Sequence, residues 1–238
     1  MRLDVYLTDR NLASTRTRAK NLIELKRVKV NGKTTEKPAY DVREGDIVEL
    51  TENYDASLGG IKLRGALEEL NLSVQGRSCL DIGAANGGFC DVLLEKGAAK
   101  VIALDVGECA LPERLTNNPI IYVMDRTNAR FLTPEKLPFL PDFITVDVSF
   151  ISLKQILPVV YLCLQQNGFA VCLIKPQFEC GKKALSKKGI VTDKREEQKC
   201  VESVRQTASS LGFTVGGVRP APHPFENKNQ EYFIFLQK

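Results

Sequence analysis

Apolar positions along the chain change their period several times, and each change predicts an element. Leu3, Tyr6 and Leu7 recur at helical spacing within residues 2–10. Ser14 is a good N-cap for a second helix, whose inner side would carry Ala19, Leu22, Ile23 and Leu25. Val28-Lys29-Val30-Asn31-Gly32-Lys33 then alternates apolar and polar residues into an Asn-Gly pair, a strong hairpin signal. Residues 46–50 are the strand expected to close that pair, with Pro38 and Gly45 marking turns between. After the polar run 51–55 the pattern changes. Residues 63–70 read as a helix, 78–82 as a buried strand, 89–96 as a helix, and 101–105 as a strand ending in an acid. Segments 120–124, 143–146 and 170–174 are further apolar strands, with helix-length stretches between the later ones, and 231–236 is a last strand. Strands alternating with helices argue for a doubly wound α/β sheet. These boundaries put a small domain at residues 1–52, a linker at 53–57 and a larger α/β domain at 58–238.

Composition narrows this only slightly. The chain has 238 residues, 43% of them hydrophobic and 26% charged, with a formal net charge of +4. That is enough apolar material for a real core and too little charge to name a nucleic-acid partner. The distribution says more. Arg16, Arg18, Lys20, Lys26, Arg27, Lys29 and Lys33 cluster in the small domain, opposed only by Glu24, and such a local excess can hold phosphates. The seven cysteines include no CxxC pair, and Cys79, Cys163 and Cys172 sit in apolar runs. Neither a disulfide framework nor a zinc site is expected, and the compartment reads as reducing. The N-terminus lacks an apolar signal core, and no segment approaches the roughly 18 apolar residues that read as a membrane span. A soluble, cytoplasmic protein is expected.

The segment from Asp81 through Gly83, Ala84, Asn86, Gly87 and Gly88 to Phe89 lies between a strand and a helix. Glycines there let the backbone approach a ligand, and the helix N-terminus offers unpaired N–H donors. Asp105, ending the next strand, is placed to accept hydrogen bonds from ribose hydroxyls. The spacing is not GxGxxG, which disfavours a nicotinamide dehydrogenase, and Asp81 would repel a pyrophosphate. A ligand with a positive sulfonium and an amino-acid tail suits the loop better, and S-adenosylmethionine is such a ligand.

Further motifs follow in order. Gly59-Gly60-Ile61-Lys62-Leu63 precedes the first helix of the large domain. Arg126-Thr127-Asn128-Ala129-Arg130, Asp147-Val148-Ser149-Phe150-Ile151-Ser152-Leu153 and Leu173-Ile174-Lys175-Pro176-Gln177-Phe178-Glu179 come next, and Asn229-Gln230-Glu231-Tyr232 opens the last strand. With the glycine loop, this set resembles the TlyA family, in which an S4 RNA-binding domain precedes an FtsJ-like methyltransferase domain. Arg2-Leu3-Asp4, Ser14-x-Arg16 and Val28-x-Val30-Asn31-Gly32 are similarly S4-like. The resemblance covers essentially the whole chain. It implies an S-adenosylmethionine-dependent methyltransferase domain of Rossmann-like α/β fold behind a small α+β S4 domain. It also implies an enzyme that methylates the ribose 2′-oxygen of ribosomal RNA, with cytidine the usual nucleoside.

The family's Lys-Asp-Lys-Glu tetrad maps by motif onto Lys62, Asp147, Lys175 and Glu231. Cofactor contacts map onto the glycine-loop residues named above and onto Asp105, Val106, Asp125 and Asn128. RNA contacts are expected from Arg16, Arg18, Lys20, Lys29 and Lys33, and from Lys182 and Lys183 beside the third motif. The chain departs from the family pattern at Leu58, Asp125 and Lys228, which touches the grip on RNA more than the chemistry. The expected partner is ribosomal RNA or a ribosomal subunit, with no membrane, metal or obligate protein partner.

A ribose hydroxyl must lose its proton as it attacks, so a positioned base helps. A lysine serves only where burial or a second cation favours its neutral form. Lys175 is the expected base and Lys62 the group that steers the hydroxyl, with Asp147 and Glu231 orienting the two. Plainer readings stand beside these: Asp147 as a helix cap, Glu231 as a solvent-facing strand end, the lysines as surface charges. His223, the sole histidine, sits between prolines in a loop and is a weak place to fix geometry. Two rivals remain: an RNA-binding protein with an inactive methyltransferase fold, and a membrane-active hemolysin-like protein, since family members have carried that name.

Overall fold

The computed structural model describes residues 1–13, 15–51, 58–222 and 228–238, which fall into two compact units, Met1–Leu58 and Gly59–Lys238. The expected linker at 53–57, Ser14 and His223 lie outside the described residues.

In the first unit, helices α1 (Leu3–Asp9) and α2 (Arg16–Glu24) pack on a three-stranded antiparallel sheet of β1 (Val28–Val30), β2 (Lys33–Thr34) and β3 (Val48–Leu50), in the order β2-β1-β3. Its core is the predicted apolar set, with Leu3, Leu7, Ala19, Leu22, Ile23, Val28 and Val30 buried together. Helix α2 is capped by Thr15, whose side chain accepts from Arg18 N at 3.1 Å. Asn31 and Gly32 take φ of 51° and 74°, as a two-residue type I′ turn requires. That turn joins β1 to β2, so the immediate partner of β1 is Lys33–Thr34; β3 pairs with the other edge of β1 and does not close the turn. Asp4 is fully buried beneath Arg2 and Arg16. Its hydrogen bond from Arg2, reinforced by Arg16 and opposed by burial, lowers its pKa to about 2.

Helix α3 (Leu58–Glu69), all but its first residue in the second unit, starts earlier than the apolar pattern suggests and so carries Lys62 on a helix. There follow β4 (Ser78–Ile82), α4 (Gly88–Glu95), β5 (Lys100–Leu104), α5 (Glu113–Thr116), β6 (Ile121–Met124), β7 (Phe143–Val146), α6 (Leu157–Cys163), β8 (Phe169–Ile174), α7 (Pro176–Glu179), α8 (Lys194–Ser210), β9 (Thr214–Pro220) and β10 (Tyr232–Gln237). The strands form one seven-stranded sheet in the order β6-β5-β4-β7-β8-β10-β9. The first five are parallel, and β10 runs antiparallel to both β8 and β9.

Both faces of the sheet are covered, which is why its central strands read as continuous apolar runs. Leu80 and Ile82 of β4 join Leu157 and Val160 of α6 and Val204 and Ala208 of α8 in one core layer. Cys79, one position before Leu80 and therefore on the opposite face, joins Leu63 and Leu67 of α3 and Phe89 and Leu93 of α4 in the other. The chain winds outward in one direction from β4 through β5 to β6 and in the other through β7 to β8. A crevice is therefore expected beyond the carboxyl ends of β4 and β7, where the winding reverses.

Cys180 and Cys200 are joined by a disulfide between the end of α7 and α8, contrary to the expectation from cysteine spacing. They are 20 residues apart, and only the packing of α7 against α8 brings them together. Cys79, Cys90, Cys163 and Cys172 are buried free thiols. Among the described residues no helix is long and apolar enough to cross a membrane, and no group of three or more His, Cys, Asp or Glu side chains is placed to hold a metal.

Candidate active site

A cleft of ≈ 770 Å³ opens at that winding reversal, lined by the ends of β4, β5 and β7 and the loops after them. Its size is that of a site for a small organic ligand. Gly83, Asp105, Val106 and Asn128 of the expected cofactor contacts line it. Gly83 has φ of +89°, and a Cβ there would lie 2.5 Å from the backbone oxygen of Asp147, so the β4 loop and the end of β7 meet with no room for a side chain. Asp105 accepts from Ala85 N at 3.0 Å and Gly107 N at 2.8 Å, which ties the two loops on either side of it. Each carboxylate oxygen keeps a lone pair for a further donor. Ile82, Leu104, Val106 and Ala129 add apolar wall. One acidic acceptor at the end of the second parallel strand, an apolar wall and a close backbone approach fit a nucleoside ligand with an uncharged ring.

Other expected cofactor residues are not on the cleft lining, for identifiable reasons. Phe89 is 3% exposed and packs beside Phe233 in the core. Ala84, Gly87 and Gly88 are buried in the turn into α4; Gly87 takes φ of +79° as the N-cap, with Leu115 and Leu111 against it. Asn86 is exposed on the same turn. Asp125 is exposed and accepts from Cys109 N at 2.6 Å, holding the loop after β5 from outside.

Asp81 is the largest surprise. Its carboxyl is fully buried beneath the glycine loop, accepting from Thr145 Oγ1 at 2.8 Å and Cys90 Sγ at 3.2 Å. Burial raises its pKa to about 7; the two hydrogen bonds oppose the rise, and the nearby charges of Asp147 and Asp105 add to it. The folded state therefore prefers the protonated acid. Stability from this group is fully present below the ordinary carboxylate range and is lost as the pH rises toward 7, by up to about 1.4 kcal/mol per pH unit. Asp81→Asn keeps the shape without the proton. Urea unfolding at about pH 5 and about pH 8 is expected to show the wild type losing stability relative to the variant at the higher value. Parallel behaviour of the two would remove this account of Asp81.

The four tetrad residues gather at the same end of the sheet. Lys62 Nζ lies 2.6 Å from Glu231 Oε2, and Lys175 Nζ lies 2.5 Å from Asp147 Oδ1. Strand β10 runs beside β8 with Tyr232 opposite Ile174, which brings Glu231 alongside Lys175. All four side chains are largely shielded, with relative exposures of 16%, 12%, 11% and 21% for Lys62, Glu231, Lys175 and Asp147. These are not solvated surface charges. Nor is Asp147 a helix cap: Ser152 caps the turn that follows, accepting from Lys154 N. Lys175 also donates to Ser149 Oγ at 2.9 Å. Asp147 belongs to both parts of the site, since it lines the cleft and holds Lys175.

Two site features had no signal in the apolar pattern. Phe150 is 91% exposed, with φ of +63°, and lines the cleft with Phe178, their ring centroids 5.2 Å apart. A left-handed backbone at a bulky residue is strained, and it turns this ring outward from the loop after β7. Arg130 also lines the cleft and is exposed there, beside the ring of Phe131.

Of the expected RNA contacts, Arg16, Lys20 and Lys33 are exposed on the first unit, and Arg18 and Lys29 are half-buried. Arg16 is partly engaged, giving Nε to Asp4 Oδ2 at 2.9 Å. In the second unit Lys183 is exposed in a 3₁₀ turn that runs from Lys182 to Ala184.

Comparison with known proteins agrees with both units. The FtsJ-like methyltransferase family matches residues 56–238, and the S4 domain matches residues 1–48. The chain is 41% identical to a 16S/23S rRNA (cytidine-2′-O)-methyltransferase TlyA of Mycobacterium tuberculosis, over 99% of this chain and 89% of that one. It is 32% identical to the 23S rRNA (cytidine-2′-O)-methyltransferase TlyA of Campylobacter jejuni over the full length of both. A solved structure from Streptococcus thermophilus described as a hemolysin superposes with a TM-score of 0.79 at 36% identity, covering 100% of this chain and 88% of that one. With S4 and FtsJ-like domains in this order, the chain belongs to the TlyA family of FtsJ-like methyltransferases.

Proposed function

We propose that this protein is an S-adenosylmethionine-dependent methyltransferase acting on the ribose 2′-hydroxyl of cytidine in ribosomal RNA. The observation that carries the reading is Asp147, which joins the cleft to a shielded pair of lysine–carboxylate contacts. The relatives' activities agree with it.

Bound in the cleft, S-adenosylmethionine would supply a methyl group on a positive sulfur, with Asp105 accepting from its ribose and Gly83, Val106 and Asn128 along its length. Entering the step as the neutral amine, Lys175 receives the proton of the 2′-hydroxyl and becomes the ammonium that Asp147 holds, while Ser149 also fixes the direction of its Nζ. Lys62, held by Glu231, donates toward the same oxygen and orients it. The low exposure of these side chains keeps bulk water away, and their fixed positions need little rearrangement as the oxygen becomes negative. The exposed residues of the first unit contact phosphates and position the RNA without reading its sequence. Such a substrate places the protein in the cytoplasm, with ribosomes.

The test is nucleotide-resolution mapping of ribose methylation in ribosomal RNA with and without the gene, paired with isotopic methyl transfer to purified subunits. A cytidine 2′-O-methyl that depends on the protein is expected. Methyl transfer to a base, or none to RNA, would overturn the reading.

The exposed ring of Phe150 suits stacking on the target base once it leaves its helix, an interaction worth roughly 1–3 kcal/mol per base. Phe150→Ala is therefore expected to weaken RNA binding or raise the RNA KM by roughly tenfold or more, while cofactor affinity changes less. Equal RNA KM values in steady-state assays would exclude stacking.

A further inference from the structure

Glu231 has two carboxylate oxygens, and different residues hold them. Oε2 takes Lys62, and Oε1 accepts from Gln177 Nε2 at 3.2 Å. Gln177 stands in the first turn of α7, two residues after Lys175. The other end of its amide is anomalous: Oε1 is buried and has no hydrogen-bond partner among the described residues. A buried carbonyl without a donor is unfavourable. Turning the amide over would satisfy nothing, because it would set that carbonyl against the Glu231 carboxylate, acceptor against acceptor. The ionised Glu231 thus fixes which way the amide faces.

The charge count gives a reason for an amide here. The site holds two lysines and two carboxylates, paired Lys62–Glu231 and Lys175–Asp147. A cation at position 177 would compete with Lys62 for Glu231. An anion would leave the lysines with excess negative charge and favour their protonated forms. A neutral donor holds Glu231 and changes neither balance.

We propose that Gln177 is a positioning residue of the methyl-transfer site, which orients Glu231, and through it Lys62, by a neutral hydrogen bond that leaves the charge balance at Lys175 undisturbed. The proposal rests on the reading of Lys175 as base. Gln177 is not part of the cleft lining, so it separates cleanly from cofactor binding.

Two variants of the full chain test it. Gln177→Leu removes the donor at similar volume. It is expected to lower kcat roughly ten- to hundredfold, the scale of a lost hydrogen bond to a charged group, with cofactor Kd and RNA KM changed less than about threefold. Gln177→Glu adds negative charge beside the lysines and is expected to move the rising limb of the kcat–pH profile to higher pH. A purely structural role for Gln177 would lower the melting temperature without moving that limb. Should Gln177→Leu fail to fold, the pH profile of Gln177→Glu decides alone. A wild-type kcat in Gln177→Leu, or an unmoved limb in Gln177→Glu, overturns the proposal. Lys175→Ala run alongside separates the two failures. An inactive Lys175→Ala with unaffected Gln177 variants discards only the role of Gln177, whereas an active Lys175→Ala discards the base and this proposal with it.

Discussion

Lys175→Ala is expected to lower the methyl-transfer rate by roughly 10²–10⁴-fold, the range that a positioned proton acceptor contributes. Cofactor affinity should hardly change, because Lys175 is not among the residues lining the cleft. Lys175→Arg distinguishes the possible causes. A guanidinium keeps the charge and can still meet Asp147, but it does not give up its proton in a protein. If Lys175 is the base, the arginine variant is as inactive as the alanine variant in single-turnover assays. If Lys175 serves only as a fixed positive charge, arginine restores much of the rate. Burial makes the outcome sharper: Asp147 loses the partner that holds it at 2.5 Å, so the geometry of the pair fails with the chemistry.

Gly83→Ala should be nearly as severe, for a reason confined to the backbone. The position takes φ of +89°, where a Cβ is strained whatever its surroundings, and that Cβ would sit 2.5 Å from the Asp147 carbonyl oxygen. The clash is with backbone, which cannot turn aside as a flexible side chain can. Strain of about 1–3 kcal/mol alone amounts to roughly five- to 150-fold in cofactor affinity if the cleft must deform to bind. The effect on rate should exceed the effect on affinity, because the displaced residue also holds Lys175. Cofactor titration by calorimetry, together with single-turnover rates, would measure both. A variant that binds and reacts normally would show that the loop and the β7 end do not form a tight junction.

Asp147 explains why these two predictions are coupled. Its backbone oxygen closes on the glycine loop and its side chain holds Lys175. Local pattern reveals neither contact. The sequence shows Asp147 ending an apolar run, and either a helix cap or a tetrad member is compatible with that.

The parallel strands and β10 were legible because both faces of the sheet are buried, so each central strand is a short apolar run with polar ends; edge strand β9, with Gly216 and Gly217 and no buried residue, was not. The Asn31-Gly32 turn was legible because its left-handed backbone favours those residue types. The edge of that hairpin was not, since β1 pairs on both sides and a period of two does not say which neighbour is nearer. Helix α3 is longer than its apolar pattern because its first turn, containing Gly59 and Gly60, carries little apolar signal; packing of Leu63, Ala66 and Leu67 supports the whole element.

The sequence alone determined the order of most elements (though not β9), the apolar layers, the position of the glycine loop and, through the order of its motifs, the family. Those properties are set by residue type and short spacing. The tertiary structure decided which charges meet. Lys62 and Glu231 are separated by 169 positions, and only the antiparallel return of β10 beside β8 brings them within 2.6 Å. It also buried Asp81 beneath the loop that seemed to present it, turned Phe150 outward, and joined Cys180 to Cys200. Burial and pairing depend on what the rest of the chain places around a residue, and no local pattern contains that information.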